Sequence, residues 1–209
     1  MVVSEKHKYI YIAVPKTGTS SISSYLTEND PTAIRNQITI NGSLRDIPEH
    51  ITAHKLKQIM GDDFDRYRKV AFVRDPFSRI VSAYYFYRKG RVARKVAENE
   101  RKGLKIKLTV MLAKIVPFSL WAILYPIRSN GHFVKDANGQ ILVDHIGSFE
   151  NIDRDFHAIF SEMGLKFDSN VLESRNVTDY HKNSNYFSNP LLKWIVFLKV
   201  RHDLDLIRE

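Results

Sequence analysis

The stretch from Lys8 to Leu26, KYIYIAVPKTGTSSISSYL, constrains the fold more than any other part of the chain. Lys8–Val14 is a short, almost continuous apolar run rich in β-branched and aromatic residues, the pattern of a strand buried on both faces of a parallel sheet. Pro15 cannot donate to a ladder and ends the strand. Lys16, Thr17, Gly18, Thr19, Ser20 and Ser21 then make a small, hydroxyl-rich loop that runs into a helix through Tyr25 and Leu26. A strand, a tight turn and a helix N-terminus together favour an anion, because unpaired N–H groups and the positive end of the helix dipole converge there. Gly18 lets the backbone come close to such a ligand, and Lys16 adds a full charge. The loop is not a Walker A sequence, in which the lysine follows the second glycine; here it precedes the only one.

A second stretch, Val70–Tyr87, reads VAFVRDPFSRIVSAYYFY. Val70–Val73 predicts another buried strand with Arg74 at its carboxyl end. Asp75-Pro76 is a helix cap followed by proline at the first helical position. Phe77, Ile80, Val81 and Tyr84 recur at helical spacing and are expected to pack on the sheet. Ser78 and Ser82 lie one turn apart on the flank of that stripe. An arginine at a strand end and a serine two turns into the next helix can hold a phosphate from two directions.

Together the two stretches resemble the nucleotide-binding signatures of sulfotransferases that use 3′-phosphoadenosine 5′-phosphosulfate (PAPS), in particular the carbohydrate branch, sulfotransferase family 2. PKTGTSS is similar to that family's loop for the 5′-phosphosulfate, and FVRDPFSRIVSAY to its 3′-phosphate motif, whose arginine and serine fall on Arg74 and Ser82. The resemblance continues at HITA (His50–Ala53) and at ILVDHIGSFENIDRDF (Ile141–Phe156), and more weakly at RNVT (Arg175–Thr178). It implies a single α/β domain over residues 1–209, a mainly parallel sheet flanked by helices in a P-loop-like sulfotransferase fold. The donor would bind beyond the carboxyl ends of the two strands. No resemblance is found from about Gly90 to Asn130, and residues 88–130 would be a helical insertion on the acceptor side. The implied acceptor is a hydroxyl of a glycan or glycolipid.

Composition adds bounds. The 209 residues suffice for one domain with a real core, and the absence of cysteine leaves no disulfide framework and no thiolate metal site. The start, MVVSEKH, lacks the basic segment and apolar core of a secretory signal, so a cytoplasmic protein, peripheral at a membrane in a second reading, is expected. The net charge of +9 calls for an anionic partner, which the donor meets only in part.

Much of the positive charge lies in Arg88–Lys107, which is followed by the apolar stretch Leu108–Ile127. Lys114, Pro117 and Ser119 argue against a membrane span. A solvated helix followed by a helix buried in the fold, covering an acceptor that is itself anionic, is the expectation; contact of residues 88–127 with a membrane surface stays open beside it.

His50 and His54 lie four apart around the start of a helix expected over Thr52–Met60 and stopped by Gly61. With no third ligand nearby in sequence, no metal site is expected. His50 stands where the family resemblance puts the catalytic base; His54 is the reserve, and Glu150 is a further candidate that fits better as a support for loop backbone. Elsewhere the patterns predict a strand over Ala33–Ile40, a turn at Asn41-Gly42, and short strands at His132–Lys135 and Gln140–His145 joined through Asn138-Gly139. A helix should begin at Asn151 or Asp153, run to Met163 and stop at Gly164, and a last one should open at Asn189-Pro190 and reach Arg208. Asn176-Val177-Thr178 matches a glycosylation sequon without an accompanying secretory signal.

The chemistry implied is in-line transfer of a sulfuryl group, with His50 taking the acceptor's proton and Lys16 with the Thr17–Ser21 amides stabilising the charge on the leaving phosphate. Two rival classes remain. A kinase-like phosphotransferase needs magnesium ligands and a Walker lysine. A non-catalytic polyanion or nucleic-acid binder needs a basic stripe interleaved with aromatics, and none occurs between Arg88 and Lys107.

Overall fold

Strand β2 (Tyr9–Ile12) is the axis of the structure: all four of its residues are buried, and alternate side chains enter opposite apolar layers. The structure is a computed structural model and describes residues 1–89, 92–94, 104–167 and 185–206. The remaining strands are β1 (Val2–Ser4), β3 (Ala33–Arg35), β4 (Gln37–Ile40), β5 (Ser43–Asp46), β6 (Arg68–Val73) and β7 (His145–Ser148). Along the chain the helices are α1 (Thr19–Asn29), α2 (Ala53–Met60), α3 (Pro76–Arg88), α4 (Leu104–Ile115), α5 (Phe118–Leu124), α6 (Gly131–Val134), α7 (Ile152–Glu162) and α8 (Pro190–Val200).

The chain forms a mixed α/β fold whose residues gather into two compact units. The first, residues 1–75, 129–176 and 205–209, contains a five-stranded sheet in the order β3-β1-β2-β6-β7. β2 pairs parallel with β6, and β6 with β7, while β1 runs antiparallel to both β2 and β3. Four of the five strands therefore point the same way, and β1 alone opposes them. Ile10 and Ile12 of β2 pack with Leu56 and Met60 of α2 and Phe133 of α6. Tyr9 and Tyr11 face the other layer, with Ile22 and Leu26 of α1 and Phe156 and Phe160 of α7. Helices thus cover both faces of the sheet, each buried aliphatic or aromatic side chain contributing about 1.5–3 kcal/mol.

The parallel pairing of β2 with β6, which places their carboxyl ends side by side, is as the sequence predicts. So are the Gly61 and Gly164 stops at φ 58° and 78°, while Thr52, expected as the first helical residue, instead caps α2, its hydroxyl accepting from Lys55 N–H. Several boundaries differ. Lys8 is no strand residue but sits at φ 51° in the turn that leads from β1, a strand the patterns did not single out. The expected strand Ala33–Ile40 is broken at Asn36, φ 57°, so that β3 joins the main sheet and β4 pairs with β5 across the Asn41-Gly42 turn. His132–Lys135 is not a strand: Gly131–Val134 is helical, burying Phe133 and Val134. Only a single bridge, Lys135 to Ile141, flanks the Asn138-Gly139 turn, and the true strand starts at His145, where Val70 offers a parallel neighbour.

The second unit, residues 76–128 and 177–204, is helical where described. The Phe77, Ile80 and Tyr84 stripe of α3 packs there, with Ala113 of α4, Trp121 of α5 and Val196 of α8, because these helices supply the matching apolar faces. Trp121 stacks on Tyr125 at 4.2 Å between ring centroids. Asn189 caps α8 by accepting from the N–H groups of Leu191 and Leu192, with Pro190 at its first position. After Val200 the chain tightens into a 3₁₀ turn instead of continuing the α-helix. Leu108–Ile127 is not one buried helix: it splits at Pro117 into α4 and α5, and much of its apolar surface is exposed. No described helix is long and apolar enough to cross a membrane. Most of the basic run between Gly90 and Gly103, and the RNVT segment with its sequon, lie outside the described residues.

Candidate functional site

At the carboxyl end of β2 the ladder stops, and side chains take over the last carbonyls. Ala13 O accepts from His50 Nδ1 at 2.8 Å, and Val14 O accepts from the Thr17 hydroxyl at 2.8 Å. Both residues are buried, so these bonds satisfy acceptors that would otherwise be left orphaned. Thr17 spends its hydroxyl in this way and leaves only its backbone for a ligand. The chain then turns through two left-handed positions, Lys16 and Gly18, each at φ 72°. For a lysine this conformation costs roughly 1–2 kcal/mol, strain of the kind that concentrates at functional loops.

Gly18 is the residue before α1 and has no side chain with which to cap it. Thr19, Ser20 and Ser21 form the first turn, Ser20 exposed and the other two nearly buried. The first-turn N–H groups and the dipole thus face the loop with no side-chain acceptor from the cap position.

Arg74 follows β6 and is only 7% exposed. Its Nη1 donates to Lys16 O at 3.3 Å, tying the two loops together. Its guanidinium carbon lies 4.4 Å from the centroid of the Phe149 ring. The same ring closes on Gly18, where an added Cβ would come within 3.0 Å of it. Gly18 is therefore required twice, for its positive φ and for the space Phe149 fills.

The backbone at Arg74 and Asp75 is held by two further side chains. Asn130, fully buried, donates from Nδ2 to Arg74 O at 3.0 Å. Glu150 accepts from Asp75 N–H at 3.0 Å through Oε1 and from the Ser148 hydroxyl at 2.9 Å through Oε2. Glu150 thus holds loop backbone through one oxygen, the use expected of it, and the Ser148 side chain through the other.

Electrostatics follow from this packing. Burial, and then the charge of Arg74, lower the Lys16 pKa to about 8. His50 is pulled below its ordinary 6.5, first by the protein atoms that displace water from around it, although the residue as a whole is exposed. The charge of Lys16 pushes in the same direction, while the Ala13 bond and Glu49 oppose it. Because a carbonyl can only accept, Nδ1 carries the proton and the Nε2 of neutral His50 is an acceptor. His54, half-buried on α2, instead has its Nε2 3.1 Å from the Gln58 side-chain amide.

The structure therefore gathers Lys16, Thr17, Gly18, Thr19, Ser20, Ser21, Arg74 and His50 in the first unit, at the carboxyl ends of β2 and β6. Ser82 belongs to the second unit, where it is buried in α3. Phe149 and Asn130 escaped the sequence reading. Neither has a local pattern that betrays it; only their approach to Gly18 and Arg74 across the fold does.

No curated protein and no solved structure matches the chain. The model of the sulfotransferase family matches residues 1–195, nearly the whole length, and covers the loop, both strand ends and the His50 segment; the chain belongs to the sulfotransferase family.

Proposed function

We propose that the chain transfers the sulfuryl group of PAPS to a hydroxyl of a carbohydrate or glycolipid, on a P-loop-like arrangement of β2, the loop 15–18 and α1. Sulfuryl transfer itself follows from the family. The donor and acceptor rest on the fit of the residues. One observation carries the reading: Arg74 donates to Lys16 O and His50 to Ala13 O, both at the loop that leads from β2 into a helix start whose cap position has no side chain. Such a cluster of two cations and a neutral base matches a donor with several negative charges and a hydroxyl acceptor.

In this reading the α1 N-terminus and Lys16 hold the 5′-phosphosulfate, and Arg74 holds the 3′-phosphate. Ser82 is assigned to the same phosphate by the likeness of its motif. His50 Nε2 takes the acceptor's proton as the new oxygen–sulfur bond forms and the bond from sulfur to the phosphate oxygen breaks. Lys16, charged, stabilises the negative charge left on that phosphate. The Nδ1 bond to Ala13 keeps His50 in the required tautomer throughout.

Calorimetry of the full chain with adenosine 3′,5′-bisphosphate and with ATP tests the donor. Tight binding of the bisphosphate with at least tenfold weaker ATP is expected; equal affinities would defeat the 3′-phosphate assignment. Transfer of labelled sulfate over a panel of neutral and anionic glycans tests the acceptor. Labelling of small phenols or steroids with no glycan product would contradict it.

A further inference from the structure

The helices of the second unit are apolar on the wrong side. α4 buries only the smaller Val110 and Ala113, while Leu104, Leu108, Met111 and Ile115 are exposed, Leu104 and Ile115 by more than 70%. These four recur every three or four residues and form one stripe along the helix. α8 repeats the arrangement: Leu192, Val196 and Val200 enter the core, and Leu191, Trp194 and Leu198 make a second, outward stripe. α5, which packs against both helices, exposes Leu120 and Leu124. Three neighbouring helices thus leave large aliphatic and aromatic side chains in water, far more than scattered surface residues would.

Charge says what covers them. The segments of this unit, 76–128 and 177–204, hold sixteen lysines and arginines against four acids, although the whole chain carries only +9, so the remainder is net acidic. Lys105, Lys107 and Lys114 on α4 and Lys193 on α8 are exposed beside the apolar stripes. Among the described residues of the unit the one acid is Asp203, buried and 3.4 Å from Arg79. A second copy of the chain would bring the same positive charge to the contact. An anionic lipid surface brings the opposite charge and an apolar layer beneath it.

We infer that α4, α5 and α8 seat the protein on the surface of an anionic bilayer, with Met111, Trp194 and their stripes entering the headgroup boundary and the lysines meeting the lipid phosphates. Trp194, 58% exposed on one outward stripe, is the interfacial anchor. The inference stands apart from the identity of donor and acceptor.

Co-sedimentation of the full chain with phosphatidylcholine vesicles, with and without phosphatidylserine, tests it. Binding to the anionic vesicles alone, weakened by salt, is expected, with a blue shift in the emission of Trp194; Trp121 is already buried. The double variant Met111→Gln/Trp194→Gln should bind at least about tenfold more weakly, with unchanged thermal unfolding and bisphosphate affinity. No binding, equal binding to neutral vesicles, or undiminished binding of the double variant would each overturn the inference. So would a dimer in sedimentation velocity that the double variant abolishes while vesicles capture nothing, since the stripes would then face a second copy.

Discussion

The guanidinium of Arg74 rests on the ring of Phe149, 4.4 Å from its centroid, and the opposite demand on that ring comes from Gly18 of the loop. One aromatic side chain thereby sets the distance between the loop and the arginine at the two strand ends. In the sulfotransferase reading it positions the cation for the 3′-phosphate without touching the reaction.

Phe149→Leu removes the π face while keeping most of the volume. Bisphosphate affinity should fall by about 0.5–2 kcal/mol, the worth of a partly buried cation–π contact. Calorimetry showing unchanged affinity would mean that the Phe149 ring does not position Arg74 for the ligand.

Gly18→Ala meets both the positive φ and the ring. The expected result is donor binding weakened at least tenfold, from roughly 1–2 kcal/mol of backbone strain plus displacement of Phe149. Combining it with Phe149→Leu should recover part of the loss; a strictly additive pair would show that the clash contributes nothing.

Arg74→Ala should cost about 2–3 kcal/mol of bisphosphate binding, as a lost charge-assisted contact does, and Ser82→Ala about 1 kcal/mol. Titration against adenosine 5′-monophosphate separates the contributions, because a ligand without the 3′-phosphate should hardly notice either change.

His50→Ala should lower kcat by roughly 10²–10⁴-fold and leave bisphosphate affinity nearly as it was. His54→Ala, whose ring meets Gln58, and Glu150→Gln, which keeps an acceptor for Asp75 N–H, should retain most activity. Survival of activity in His50→Ala together with its collapse in either of the others would move the base to that residue.

The pH profile of kcat/KM should be bell-shaped. The acid limb belongs to His50, whose pKa lies below 6.5, so the base is neutral at pH 7 and loses function only as the pH drops further. The alkaline limb belongs to Lys16, which gives up its proton near pH 8 in the free protein. Above that pH, donor binding must draw a proton back, so affinity should fall by roughly tenfold per pH unit. Lys16→Arg should remove this alkaline dependence of affinity, because arginine stays charged there; a bisphosphate affinity that is flat from pH 7 to about 9 in the unmodified protein would contradict the assignment.

What the amino-acid order determined by itself was local. The apolar run before Pro15, the Asn189-Pro190 cap, and the Gly61 and Gly164 stops depend on residues within a turn of one another, and each stands within a residue or two of where the patterns put it. The Lys16–Ser21 segment, of which only the part before Thr19 is loop, and the strand-end arginine were legible for the same reason: their chemistry is written in consecutive residues. Boundaries set by distant partners were not. β1 becomes a strand because β2 and β3 flank it, Gly131–Val134 is helical because Phe133 and Val134 find a core beside α2, and β7 starts where β6 has room for a parallel neighbour.

The tertiary structure also decided the tautomer of His50 through Ala13, and the use of Glu150 and Asn130 as clamps on residues 74 and 75. It decided, too, which side of α4 and α8 is turned to solvent. Helical periodicity tells that a face exists but carries no information about what lies opposite it. Hydrogen-bond partners far apart in the chain and the burial of a face are properties of the packed molecule, and only folding brings them into contact.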